Sequence, residues 1–388
     1  MKCKNTIAMV LAGAMLLPSN AFAADLSQYK DFPNDWSAKS LEQAIDDGLL
    51  NGSNGMIDAK GLLTRAQMAA IVSRSFGAAK TASLDDYRDV LPSAWYYSDM
   101  GKAVKMGAFH GANGLLNPDA PITREEAFTV LARAFALEGG GSAALKDFVD
   151  GGTVSSWASE SVAALVAGGY VNGANGMLNL KNNITRAEFA KVISGMASTF
   201  ADNGLSDTVD GNVIVRSSGA SLAGKTINGD LILADGAAQA DLTNVTVTGR
   251  ILIRGGADGV TFGNTSAGRG IIVHSDVSIA GTADSITVAG AAAVTVQSGA
   301  SVGSITVNAE NAKITGAGRV GEVRANADNV SVSTSGTRVS ASEDVSGVQA
   351  GSKTVAAGKT ETVSQASGGS SSGGGSSSGG SSNGGSSN

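Results

Sequence analysis

Three arginines stand where helix physics does not favour them. Arg65, Arg124 and Arg186 each directly follow a threonine, in LLTRAQ, ITREE and ITRAE. Each threonine has a Gln or Glu three places on: Thr64 with Gln67, Thr123 with Glu126, Thr185 with Glu188. That is the capping-box pattern of a helix start, in which the two side chains satisfy each other's free backbone amides. A cation in the first turn opposes the helix macrodipole, which favours an acid there. Two roles are open to it. The guanidinium pairs with a nearby carboxylate or packs its stem over a tryptophan, or it joins the free amides of the helix start to receive an exogenous carboxylate or phosphate.

The arginines belong to a fixed frame. Thirteen residues before each lies a glycine and sixteen before that a tryptophan, giving Trp36, Gly52, Arg65, then Trp95, Gly111, Arg124, then Trp157, Gly173, Arg186. The glycine loops read NGSNGM, HGANGL and NGANGM. Three equal spacings mark three copies of one module. Each copy reads as helix, glycine loop, helix. Leu41, Ala44, Ile45 and Leu49 recur at helical spacing after Trp36, as do Val162, Leu165 and Val166 after Trp157. The Asn-Gly turns are expected to stop the first helix, because both residues tolerate left-handed backbone. Met68-Ile71-Val72, Phe128-Leu131-Phe135 and Phe189-Val192-Ile193 give the second helices an apolar stripe.

With an aromatic-x-Asp opening, a tryptophan, a G-x-x-G loop and a Thr-Arg-Ala-Glu signature, residues 31–197 resemble the S-layer homology family. The resemblance implies modules at 31–78, 86–138 and 147–198, forming an all-α, pseudo-threefold helical spindle. It also implies that inter-module grooves bind an acidic, pyruvylated secondary polysaccharide of Gram-positive-type cell walls. On that basis Arg65, Arg124 and Arg186 receive the ligand carboxylate, and Gly52, Gly111 and Gly173 let the sugar approach. Trp36, Trp95 and Trp157 wall the grooves, with a buried core role as their alternative. The opening reads Tyr87-Arg88-Asp89 and Phe148-Val149-Asp150, but Phe32-Pro33-Asn34 in the first copy, which also carries Gln67 for glutamate. The first copy is therefore expected to be structural, or its groove weakened. The glutamates read as caps and His110 as a loop residue.

Residues 1–23 read as a cleaved secretory signal, with Lys2 and Lys4, an apolar Ile7–Leu17 stretch and Ala21-Phe22-Ala23 at the cleavage site. Its removal takes Cys3, the only cysteine, so disulfides, thiolate nucleophiles and cysteine metal sites are not expected. It also takes two lysines from 28 basic residues against 34 acidic ones, moving the net charge from −6 to 26 − 34 = −8. That balance argues against sequence-independent binding of nucleic acid. No later stretch is apolar and long enough to span a bilayer, so a non-covalent hold on the cell wall is expected.

The 388 residues divide into unlike halves. All five prolines, three tryptophans and five tyrosines lie at or before Tyr170, and beyond residue 204 the one aromatic is Phe262. From Val213 to Val363 short apolar runs alternate with Gly, Ala, Asn, Asp, Ser and Thr. Asp230-Leu-Ile-Leu, Arg250-Ile-Leu-Ile and Gly270-Ile-Ile-Val start at twenty-residue steps, and later runs such as Ser285-Ile-Thr-Val and Ser304-Ile-Thr-Val keep a looser interval. Such a period without helix-length segments predicts an all-β right-handed parallel β-helix, or solenoid, over 205–365, of seven or eight rungs about 4.8 Å apart. A β-sandwich is the alternative. The Gly/Ser/Asn-rich stretch 366–388, only Ser, Gly and Asn from Ser367 on, reads as a disordered tail, either a truncated linker or a solvated brush.

The leading expectation is a non-catalytic, wall-anchored surface protein with a projecting solenoid and no cofactor. An anchored carbohydrate-active β-helix and an adhesin or layer subunit are the other readings. Asp230, Asp235, Asp258 and Asp276 could pair for acid/base work, but this half lacks Trp and Tyr platforms and has His274 as its one histidine. Arg250 and Arg254 are expected on solvated outer faces. An aspartate pair facing one groove would favour an enzyme.

Overall fold

The computed structural model describes residues 25–364, so the expected export signal and the Ser/Gly/Asn-rich tract lie outside the described residues. Each module contributes two helices: α1 (Ala38–Asp46) and α2 (Arg65–Ser75), α3 (Tyr97–Lys105) and α4 (Arg124–Ala134), α5 (Ser159–Ala167) and α6 (Arg186–Met196). Both halves of all three capping boxes are formed, at Thr64 with Gln67, Thr123 with Glu126 and Thr185 with Glu188. The first helices end earlier than the Asn-Gly turns suggest. Gly48, Gly107 and Gly169 take left-handed φ near +70°, and their amides and those that follow reach back to close Schellman ends. The Asn-Gly pairs instead turn the tight bridges Ser53 to Met56, Ala112 to Leu115 and Ala174 to Met177.

The three copies close on one another around a threefold ring of main chain. Leu63 donates to the Ile184 carbonyl at 3.1 Å, Ile184 to Ile122 at 3.0 Å, and Ile122 back to Leu63 at 2.9 Å. Buried Phe76, Phe109, Phe128, Phe135 and Phe189 fill the shared core. Asp89 and Asp150 accept from the amides of Leu116 and Asn117, and of Leu178 and Asn179. In the first copy Asp31 does the same for Ile57 and Asp58, at 2.7 and 2.8 Å. The opening of that copy is therefore the intact Tyr29-Lys30-Asp31, not Phe32-Pro33-Asn34.

A parallel β-solenoid follows, its first strand (Thr199–Phe200) pairing with Val213–Val215. Val213–Val215, Leu231–Leu233, Ile251–Ile253 and Ile271–Val273 stack in register, with the twenty-residue step holding for Leu231, Ile251 and Ile271. A second face stacks Gln239–Thr243 on Gly259–Gly263, and a third, short one ends at Ser266–Ala267. Strand Val277–Val288 then runs across two faces, bending at Gly281, where φ is +73° and a Cβ would strike the Phe262 carbonyl. At the far end, Thr360–Thr362 and Lys353–Thr354 pair antiparallel to the last rung, leaving short polar edges.

The helical modules and the solenoid share one core. Ile214, Ile232 and Leu252, the outward residues of the first rungs, pack with the helical modules rather than facing water. Arg250 and Arg254 lie there too, 7% and 8% exposed, which corrects their expected place on a solvated face. Each ends against helix C-termini, whose last carbonyls lack partners within the helix and attract cations. Arg250 donates to the Phe135 and Ala136 carbonyls past α4, and Arg254 to Met106 after α3 at 2.7 Å. Arg216 donates to Asp47 after α1 at 2.9 Å, and the Gly236 amide to Phe76 after α2 at 2.9 Å. Asp230, 3% exposed, pairs with Arg250 and Arg269, and Asp235 with Arg254.

Candidate functional site

Each signature arginine reaches out of its own module. Arg65 Nε donates to the Leu116 carbonyl at 2.7 Å and Nη1 to Glu126 Oε1 at 2.8 Å. One module on, Arg124 Nε donates to Leu178 at 2.9 Å and Nη1 to Glu188 Oε1 at 2.8 Å. Glu126 and Glu188 thus do two jobs, since Oε2 of each closes its own capping box at 2.8 Å. The helix-start amides are engaged as well: Arg65, Arg124 and Arg186 donate to Ala120, Asn182 and Gly61, and the following residues to Pro118, Leu180 and Ala59. No free amide is left there for an anion, so the helix starts serve the threefold closure.

The third latch differs. Arg186 Nε donates to Ile57 and Nη2 to Asn51, both at 2.8 Å, but the capping residue it would meet by symmetry is Gln67. Gln67 uses Oε1 for its own cap at 3.1 Å, so its other terminal atom is an amide donor where Glu126 and Glu188 offer an oxygen. Among the described residues no carboxylate lies within ion-pair distance of Arg186. The glutamine of the first copy therefore alters the contact made by the third copy's arginine, not the one made by Arg65.

Two grooves open beside the formed latches, each built from all three modules. A cavity of about 310 Å³ is lined by Arg65 of the first copy, His110 and Gly111 of the second and Trp157 of the third, with Glu126 and Arg133. Another, about 340 Å³, takes Arg124 from the second copy, Asn172 and Gly173 from the third and Trp36 from the first, with Glu188 and Lys191. The tryptophans are not core: Trp36, Trp95 and Trp157 are 60%, 64% and 52% exposed. The loop glycines answer an internal demand, because a Cβ at Gly52, Gly111 or Gly173 would strike the ring of Tyr29, Tyr87 or Phe148. Burial lowers the Arg65 and Arg124 guanidinium pKa, against the opposing pull of Glu126 and Glu188. Burial, then the Arg133 charge, lowers that of His110.

Sequence reasoning missed Arg133, Lys191 and Glu125. Glu125, 5% exposed, accepts from Ser155 and from Lys181 Nζ at 2.7 Å, tying the second module to the third. The signal was available, as Glu125 stands where the other copies have Ala66 and Ala187. On the solenoid, a shallow groove of about 410 Å³ is lined by Gln239, Asp241, Asp258, Thr261 and Gln297. Among the described residues no helix is long and apolar enough to cross a membrane.

The "S-layer homology domain" family model matches residues 28–69, 86–128 and 147–190. The surface-layer 125 kDa protein of Lysinibacillus sphaericus is 33% identical over 180 residues, covering 45% of this chain and 15% of that protein. The amylopullulanase of Thermoanaerobacterium thermosulfurigenes is 27% identical over 176 residues, 43% of this chain and 9% of the relative. The exoglucanase XynX of Acetivibrio thermocellus is 26% identical over 176 residues, 43% of this chain and 16% of the relative. The chain thus spans less than a fifth of each of these relatives. Residues 28–190 carry three S-layer homology domains in tandem.

Proposed function

We propose that this is a cell-surface protein held non-covalently to the wall, its domains gripping an acidic, pyruvylated secondary wall polysaccharide. The observation that carries the reading is the pair of three-module grooves, each with a tryptophan more than half exposed beside cationic side chains. An aromatic face for a sugar ring next to a cation for its carboxylate is the combination an acidic glycan requires. The solenoid, its first rungs fused to the anchor core and its last rung closed by polar edges, acts as a stiff spacer. The test is retention of the mature chain by purified sacculi. Removal of the acidic polymer should abolish retention, and equal binding to stripped sacculi would overturn the reading. The whole chain is needed, because cutting after residue 200 would uncover the apolar face that Ile214, Ile232 and Leu252 fill.

A second reading has one observation in its favour. Asp241 and Asp258 line the same solenoid groove, as a glycan-cleaving pair would. Hydrogen bonds from the Thr243 hydroxyl and amide hold the Asp241 carboxyl below its ordinary range, as a base or nucleophile requires. Release of reducing ends from wall glycan that D258N abolishes would support this reading. No release by the wild type would dismiss it.

A further inference from the structure

The two grooves hold cations of two kinds. Arg65 and Arg124 are joined to Glu126 and Glu188 and to backbone carbonyls. Each such pair presents almost no net charge to a ligand, and an incoming carboxylate would have to displace one already hydrogen-bonded in place. Arg133 and Lys191 line the same cavities and, among the described residues, form no ion pair. Resting on the polymer-binding reading above, we infer that the anionic group of the wall polymer is received by Arg133 in one groove and Lys191 in the other, not by the arginines of the repeated signature.

Three further observations support this. Arg133 is half-buried, and burial lowers its pKa with no carboxylate opposing, whereas at Arg65 and Arg124 carboxylates oppose the same burial. A desolvated cation facing an open cavity gains most from an incoming anion. Next, each cation shares a cavity with an exposed tryptophan, Arg133 with Trp157 and Lys191 with Trp36, so a sugar stacked on the ring would carry its acidic substituent toward the charge. Finally, the grooves place their cations at different distances from the latch. On α4 Arg133 lies seven residues past Glu126, about 10.5 Å of helix rise, while on α6 Lys191 lies three past Glu188, about 4.5 Å. One polymer therefore meets its cation at a different distance from the latch in each groove, and the two sites bind with different affinities.

The experiment is calorimetric titration of the whole mature chain with released wall polymer, and with the same polymer after chemical reduction of its carboxylates. R133Q and K191Q should each weaken binding in their own groove by about 10- to 100-fold, the loss of one charge-assisted contact. The double variant on native polymer should match the wild type on reduced polymer, because the same contact is removed from opposite sides. R133K and K191R should retain binding within a few-fold, which separates lost charge from disturbed packing. If the wild type takes up no polymer, the wall-binding reading itself falls. If it binds but the double variant stays within threefold of it, or reduced polymer binds as well as native, this inference falls and the reading stands.

Discussion

Replacing Arg250 with methionine should uncouple the anchor from the solenoid. The guanidinium is 7% exposed and donates to Asp230 Oδ2 at 2.9 Å, to Phe135 at 2.6 Å and to Ala136. Methionine fills much of the volume but leaves two helix-terminal carbonyls without a donor and a buried carboxylate with one partner fewer. Breaking a buried pair from one side costs about 3–5 kcal/mol. Asp230 keeps Arg269, so the lower end, about 3 kcal/mol, is expected. At 2–4 °C per kcal/mol that lowers Tm by roughly 6–12 °C. Every tryptophan lies in the anchor, so fluorescence follows that half while far-UV circular dichroism follows both. In the wild type the two melts should coincide, and in R250M the fluorescence melt should come first. A Tm within 2 °C of wild type, with melts still coincident, would refute the buried network. Acid gives a second view. Burial raises the Asp230 pKa, but bonds from the Arg250 amide and guanidinium outweigh it and hold the carboxyl below its ordinary value. The stability it contributes is present above about pH 4 and is lost as pH falls through the lower folded-state value.

Two other perturbations test separate parts. Gln67→Glu should give Arg186 the carboxylate that Arg65 and Arg124 already have, stabilising the anchor by about 0.5–1 kcal/mol; the gain should vanish in a Q67E/R186A cycle followed by chemical denaturation. His274, half-buried with its Nε2 buried and unpartnered, has its pKa lowered to about 4 by burial and then by Arg254 and Arg250. Protonation therefore favours the unfolded chain: stability should be full above pH 6.5 and fall by up to about 3 kcal/mol as pH drops to 4, and H274N should flatten that slope.

The sequence revealed what repeats at fixed spacing and hid what does not. Tryptophan, loop glycine and signature arginine keep equal intervals because a rigid helix and a tight turn separate them, so the capping boxes could be placed to the residue. The Asp31 opening was hidden because its distance to the tryptophan varies, from Asp31 to Trp36, Asp89 to Trp95 and Asp150 to Trp157. The register of Leu231, Ile251 and Ile271 announced the solenoid. The buried junction left a fainter sign. In Val213-Ile-Val, Leu231-Ile-Leu and Ile251-Leu-Ile even the outward middle residue is apolar, whereas in Ser285-Ile-Thr-Val and Ser304-Ile-Thr-Val threonine takes an outward place. A solenoid face that is apolar on both sides must be covered. Arg250 and Arg254, flanking such a run, belong to the covering contact, but the helix ends they meet are over a hundred residues away in the chain.

The same closure explains why the repeated signature is a poor guide to the ligand. A ring of three modules needs each helix start to satisfy the next module's carbonyls, and each signature arginine to reach that module's loop and, in two latches of three, its glutamate. These positions must repeat for the ring to close, whatever the polymer. Positions that differ between copies carry no such demand: Ala70 and Thr129 stand where Lys191 does, and Gly195 stands where Arg74 and Arg133 do. A loss of wall binding in R65A or R124A therefore reports first on a broken latch, costing modules their alignment and both grooves their shape. Only changes that leave the ring closed, at Arg133, Lys191, Trp36 and Trp157, separate recognition of the polymer from assembly of the surface that recognises it.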